Sequence, residues 1–288
     1  LIFGLFAMSF NIVFGYAGLM SLGHAAFFGA GGYTVALLKL HYEVNLFWIS
    51  APLGILVATV IAALFAIIAL RASGIYFLLV TFALGQMLYS LAWNVKWLNS
   101  KGMQGITGIT LPDLGIPGFA LETLSFYYLV LIFFLLSAVL LYRLIISPFG
   151  LALEGIREGE PRMEAVGYNT WFLKYAAFVV SGAFAGLAGV LFAYYNFFVS
   201  PNHLGIATSF LPMVMAIMGG LGTFLGPVVG AAVFIFVENF ASIISPQRWP
   251  LVLGTLFVLT IMFARDGIGV YLWRLWNKWR PHYGSVKN

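Results

Sequence analysis

Between Tyr175 and Val237 the chain carries no Asp, Glu, Lys or Arg. A helix needs roughly 20 mostly apolar residues to cross a bilayer, so this one stretch has room for more than two crossings. Further charge-free runs extend from Leu1 to Leu38, Val44 to Leu70, Ala72 to Val95, Thr123 to Tyr142 and Trp249 to Ala264. An open sheet edge cannot survive in hydrocarbon, and the apolar runs lack the period-2 alternation of barrel strands. The expected fold class is therefore all-α, a polytopic transmembrane helical bundle.

Composition closes the alternatives. Of the 288 residues, 62% are hydrophobic and 8% charged, which excludes a water-soluble globule because too few solvated groups remain to cover its surface. The absence of cysteine excludes disulfide frameworks, thiol nucleophiles and Cys-based metal sites. The histidines, His24, His41, His203 and His282, are too far apart in sequence to form a local metal motif.

Gly and Pro clusters divide the runs into about nine expected spans, near residues 1–15, 22–38, 46–70, 74–95, 123–143, 172–196, 207–220, 225–244 and 250–264, within a single domain over 1–288. The chain opens on Leu1 inside an apolar run, which predicts a preceding segment. If 143–174 faces the cytoplasm, alternation puts Arg71 and the tail inside as well, leaving Lys39, Lys96, Lys101 and Arg248 as the outer basic residues. That distribution obeys the positive-inside bias. Trp48, Trp93, Trp97, Trp171 and Trp249 fall at span ends, where indole rings favour the headgroup zone. In the tail, 265–288, Leu272, Leu275, Trp276 and Trp279 share one helical face opposite Arg274, Lys278 and Arg280, the pattern of an amphipathic helix on the inner leaflet or, alternatively, of a frayed tail.

The charge missing from the spans concentrates in 147–170, where Glu154, Arg157, Glu158, Glu160, Arg162 and Glu164 crowd together. Ser147 and Pro148 read as an N-cap and first helical residue, and Phe149, Leu153 and Ile156 recur at helical spacing. Gly159 breaks the run, Glu160 and Pro161 restart it, and Met163 and Val166 form a second stripe ending at Gly167. Two short amphipathic helices are expected, either gripped in a partner's groove or resting on the bilayer.

Several stretches carry a family resemblance: EGIREGEPRMEAVGYNTWFLKYAAFVVSGAFAGLAGVLFA from Glu154 to Ala193, FGYAGLMSLGHAAFFGAGGYTVALL from Phe14 to Leu38, GIYFLLVTFALGQMLY from Gly74 to Tyr89, GMQGITGI from Gly102 to Ile109, and GGLGTFLGPVVGAA from Gly219 to Ala232. The chain resembles the M-type permease subunits of branched-chain amino-acid ABC importers. The resemblance implies a second, H-type permease subunit, two cytoplasmic ATPase subunits and a periplasmic solute-binding protein as partners, in a bacterial inner membrane, with no nucleic acid. It also implies that Glu154 to Asn169 couples the permease to the motor, with Glu154, Arg157, Glu158, Arg162, Glu164, Ala165 and Gly167 as the coupling residues. Pro161 departs from the family pattern. No GxxxxGK[ST] phosphate loop occurs in the chain, so no cofactor is expected here and ATP with Mg belongs to the partners.

Polar residues within spans are candidates for the translocation path: Asn11, Gln86 and Glu238. Helix-to-helix hydrogen bonding is the competing reading for Asn11 and Gln86, and snorkelling or capping for Glu238. Gly182 with Gly186, and Gly226 with Gly230, form GxxxG pairs suited to close helix packing. His24 reads as a structural histidine, and Thr107 as part of an outer turn or a docking loop. A short echo between Gly18–Gly23 and Gly220–Gly226 is too brief to establish related halves. The solute expected from the resemblance is leucine, isoleucine or valine, with urea or a small carboxylate or aromatic acid as the alternative. A proton-coupled transporter would need titratable groups along its path, and the spans offer little beyond Glu238. An intramembrane enzyme would need a nucleophile with its base, or a metal cluster, and neither occurs at usable spacing.

Overall fold

A computed structural model describes residues 1–95, 97, 105–115 and 122–244, together with 254, 255, 258, 262 and 267. Apart from residues 254, 255, 258 and 262, the expected ninth span lies outside the described residues, as does nearly all of the tail. In chain order the elements are α1 (Ile2–Asn11), α2 (His24–Tyr42), α3 (Phe47–Ala69), α4 (Ile75–Asn94), β1 (Ile106–Thr107), α5 (Thr123–Ile146), α6 (Pro148–Ala165), α7 (Thr170–Asn196), β2 (Phe198–Val199), α8 (Ile206–Gly219) and α9 (Gly226–Ile244). A π-helical turn, Ile12–Tyr16, continues α1, and a 3-10 turn, Pro201–Leu204, precedes α8.

Nine crossings were expected, but five helices among the described residues are long and apolar enough to cross a membrane: α3, α4, α5, α7 and α9. The others fall short for separate reasons. With its π turn α1 has 15 residues and α8 has 14, each reaching only about 22 Å against a hydrocarbon core of about 30 Å. Helix α2 has 19 residues, but Gly, His, Lys and Tyr dilute its apolar character. Its place is the protein interior: His24 to Tyr33 are all buried. Helix α1 is likewise enclosed, as an all-round apolar helix should be.

Small residues set the centre of the bundle, where α2, α3 and α7 pack together. A Cβ on Gly189 would lie 1.8 Å from the Phe28 carbonyl oxygen, and one on Gly186 would lie 2.3 Å from Ala58 Cβ. The helices therefore touch backbone to backbone, the arrangement by which membrane helices gain dispersion energy without a hydrophobic drive between them. Around these contacts Phe6, Phe27, Phe28, Phe47, Phe178 and Tyr194 fill the core.

Two sets of loops mark two ends of the bundle, separated by α5 and α7, which run from one to the other. At one end β1 pairs antiparallel with β2, matching Ile106 to Val199 and Thr107 to Phe198. Here too Asp113 N donates to Asn45 O and Phe47 N donates to Asp113 O, both at 2.9 Å. At the other end lie the π turn, the residues preceding α2, the α8–α9 turn and α6. Tyr142 at the end of α5 meets Phe224 there, their rings 5.1 Å apart. Lys39 thus belongs to the first end and Arg143 to Lys174 to the second.

Candidate functional site: the charged segment and the turns it touches

Helix α6 is two helical pieces joined at Gly159, whose extended backbone (φ 179°, ψ 90°) interrupts the ladder. Ser147 occupies the N-cap position, but its hydroxyl donates back to Leu144 O at 2.6 Å instead of capping α6. The first piece docks on the bundle. Leu153 and Ile156, 0% and 4% exposed, join Met8, Ile12, Tyr16, Ala17, Leu141 and Ala177 in one apolar cluster. The stripe expected to face a partner's groove or the bilayer is therefore covered by this chain's own α1, α5 and α7. In the second piece Met163 folds back over Gly155, whereas Val166 is 75% exposed.

The coupling candidates separate accordingly. Glu154 is half-buried on the docked piece; Arg157, Glu158, Arg162, Glu164, Ala165 and Gly167 are exposed. Glu164 Oε1 accepts a hydrogen bond from Thr170 Oγ1 at 2.8 Å, tying the end of α6 to the start of α7. Asn169 caps α7, its Oδ1 accepting from Phe172 N at 3.0 Å. Lys174 pairs with Glu160, the one ion pair among the described residues.

Arg157 reaches furthest into the bundle. Its Nη1 donates to Gly15 O in the π turn, and a Cβ on Gly222 would come within 2.7 Å of the same nitrogen. One guanidinium thus touches both the end of α1 and the α8–α9 turn. Asn11 ties those two together from the inside. Its Nδ2 donates to Thr223 O at 2.9 Å, and its Oδ1 accepts from Gly222 N at 3.1 Å. Gly15 makes room for this: a Cβ there would lie 2.0 Å from Asn11 Oδ1. The wider π turn, in which Ala17 N donates to Ile12 O at 3.1 Å, opens the ladder at this point, and such bulges frequently accompany functional sites.

The three path candidates do not converge. Asn11 is buried with both ends of its amide held by backbone. Gln86, on α4, and Glu238, on α9, are each half-buried, and neither lies on the backbone groups that hold Asn11. The glycine pairs lie at helix contacts. A Cβ on Gly182 would sit 2.2 Å from Ala62 Cβ, one on Gly226 2.1 Å from Thr223 Oγ1, and one on Gly230 1.8 Å from Met215 O. Gly267 brings the described part of the tail to the same region, its Cβ position 2.2 Å from Gly220 Cα.

His24 is fully buried beside Phe10, Phe27 and Phe178. Its Nε2 lies 2.7 Å from Ser181 Oγ, and that hydroxyl donates to Ser9 O at 2.5 Å. The hydroxyl's one proton being used, Nε2 is the donor in this pair. The chain of bonds stitches α1, α2 and α7. Ser181→Ala is expected to leave the histidine donor without a partner and cost about 1–3 kcal/mol of stability, read as a lower unfolding temperature of the detergent-solubilised protein. An unchanged temperature would remove this node from the fold's supports.

What sequence reading missed here is the Asn11–Gly222–Arg157 junction. Its signal was present as Asn11 four residues before Gly15 and as a lone arginine beside the Leu153–Ile156 stripe, but nothing local says that residues 11, 157 and 222 meet.

Residues 1–263 match the family described as branched-chain amino acid transport system / permease component. The chain is 31% identical to the high-affinity branched-chain amino acid transport system permease protein LivM of Salmonella typhimurium, over 93% of this chain and 68% of that protein. The Escherichia coli protein of the same name is 30% identical, with the same coverage. A probable branched-chain amino acid transport permease protein LivM of Methanocaldococcus jannaschii is 28% identical, over 82% of this chain and 78% of that one. No solved structure matches. A family match over almost the whole length, joined to five helices fit to cross a bilayer, makes this chain a multi-pass membrane protein of the branched-chain amino acid transport permease family.

Proposed function

We propose that the chain is a membrane-crossing subunit of an ATP-driven, binding-protein-dependent importer that moves leucine, isoleucine and valine inward by alternating access. In this reading an H-type permease subunit completes the pathway, two cytoplasmic ATPase subunits drive it, and a periplasmic solute-binding protein delivers the solute. The chain sits in a bacterial inner membrane, and 143–174 faces the cytoplasm.

The observation that carries the reading is the division of α6. Its docked piece is fastened to the bundle by Leu153 and Ile156, while its second piece leaves Arg162, Glu164, Val166 and Gly167 exposed to a partner. Arg157 then joins the docked piece to the π turn of α1 and to the α8–α9 turn. A push on the exposed piece has a continuous path of packed and hydrogen-bonded groups into two helix ends, which is what a change between two discrete arrangements requires. ATP binding and hydrolysis belong to the motor subunits; this chain contributes the handle and part of the channel wall.

The test is ATP-dependent uptake of labelled leucine by vesicles holding the complete importer. Uptake that follows a proton gradient and ignores ATP would reject the proposal. Within it, Glu164→Lys is expected to lower both uptake and the stimulation of ATPase activity on the order of tenfold, with membrane insertion intact, because it reverses a charge on the exposed surface. Glu164→Gln, which keeps an acceptor for Thr170, separates the lost charge from the lost hydrogen bond. ATPase stimulation unchanged in Glu164→Lys would remove this residue from the coupling surface.

A further inference from the structure

At the end of the bundle opposite α6, the last turn of α2 and the β1 segment enclose a cavity of about 440 Å³, lined by Ala36, Lys39, Leu40, Glu43, Ile106, Thr107, Gly108 and Ile109. That size lies within the range of small-molecule sites, about 300–1,000 Å³. Its walls combine one cation, one anion and an apolar flank.

The two charges do not neutralise each other. Lys39 and Glu43 stand four apart on α2, with the lysine on the N-terminal side, the less favourable order for a helical ion pair. Glu43 also leaves the helix, taking the left-handed C-cap conformation with φ of 54°. No ion pair forms between them among the described residues. Opposite, the wall is fixed in place: Ile106 and Thr107 are held by pairing to β2, and Gly105 packs so closely on Val199 and Ser200 that a Cβ would lie 2.3 Å from Val199 O. Ile106 and Ile109 are buried, so the apolar flank is part of the core and not a loose loop.

We propose that this cavity receives the solute on the outer side as a zwitterion: Lys39 takes the α-carboxylate, Glu43 takes the α-ammonium, and the exposed Leu40, backed by the buried Ala36, Ile106 and Ile109, meets a branched aliphatic side chain. Lys39 in the last turn of α2 and Glu43 at its C-cap put a cation and a carboxylate on the same wall, as the two charges of a free α-amino acid sit on one carbon, and charge-assisted hydrogen bonds recognise such groups most strongly. Urea, which carries neither charge, can make only neutral-partner hydrogen bonds to these groups and forms no ion pair with either. The assignment rests on the permease reading above and adds to it the place and the chemistry of first contact.

The experiment uses the assembled membrane complex in nanodiscs, without the solute-binding protein, and records saturation transfer to the methyl protons of leucine. Two analogues of one charge each serve as probes, 4-methylpentanoate and 3-methylbutylamine. Wild type is expected to saturate leucine, with each analogue weaker on the order of tenfold. Lys39→Met and Glu43→Asn are each expected to weaken leucine by a similar factor. Asparagine tolerates the left-handed conformation, so Glu43→Asn removes the carboxylate while keeping the helix cap. Should leucine bind both variants as it binds wild type, should either analogue match it, or should wild type show no transfer, the pocket assignment is overturned. ATP-driven leucine uptake by the wild-type importer, measured in parallel, separates the two claims. If uptake persists while the pocket fails, the permease reading stands; if there is no uptake, both fall.

Discussion

Arg157→Ala is expected to uncouple the importer: leucine uptake per ATP hydrolysed falls on the order of tenfold or more, while the subunits still assemble. The guanidinium reaches from the charged segment into both the π turn and the α8–α9 turn. Removing it deletes a charge-assisted bond to a carbonyl, about 1.5–3 kcal/mol, and a coupling free energy of that size is a factor of about 10 to 100. The docked piece of α6 keeps its place through Leu153 and Ile156, so binding of the motor subunits persists. Arg157→Lys retains a charge but replaces the planar guanidinium with a single ammonium on a shorter side chain, and falls between the two. The measurement is labelled uptake and phosphate release from the same vesicles. An unchanged ratio in Arg157→Ala would mean that motion reaches the bundle by another route.

The second large effect is on folding. Gly189→Ala places a methyl 1.8 Å from the Phe28 carbonyl oxygen, where only movement of α2 against α7 can relieve the overlap. Overpacking of this kind costs about 1–3 kcal/mol when a side chain can yield, and more when backbone must. The variant is expected to lose about 3 kcal/mol or more and to be depleted from the membrane fraction. Gly4→Ala is the control. A Cβ at Gly4 would lie 3.5 Å from the Phe134 ring, an ordinary contact, so that variant is expected to behave as wild type. Equal unfolding temperatures for the two would contradict a backbone-to-backbone contact at the centre of the bundle.

The elements themselves were legible in the sequence. Expected spans 46–70, 74–95, 172–196 and 225–244 appear as Phe47–Ala69, Ile75–Asn94, Thr170–Asn196 and Gly226–Ile244. Charge-free runs bounded by Gly, Pro and ionisable residues leave a helix few places to end. Crossing capacity was less legible, because freedom from charge does not distinguish a lipid-facing helix from an enclosed one. Helix α2 has no Asp or Glu from His24 to Tyr42 but is rich in glycine, and it is surrounded by protein. The junction at Asn11 was not legible at all: a polar residue inside a span signals that a partner exists, and not which one. Its partners are backbone groups of Gly222 and Thr223, which no side-chain pattern announces. The same limit applied to α6, where period alone gave two stripes without saying that the first would be used at home and the second left open.

That difference between the stripes has a thermodynamic side. Because Leu153 and Ile156 are already covered within this chain, the charged segment stands as a finished shape before any other subunit arrives. In the proposed importer, its association with a motor would then resemble the docking of two rigid bodies, free of the ordering entropy that a loop folding on contact would have to overcome, with affinity left to Val166 and its charged neighbours.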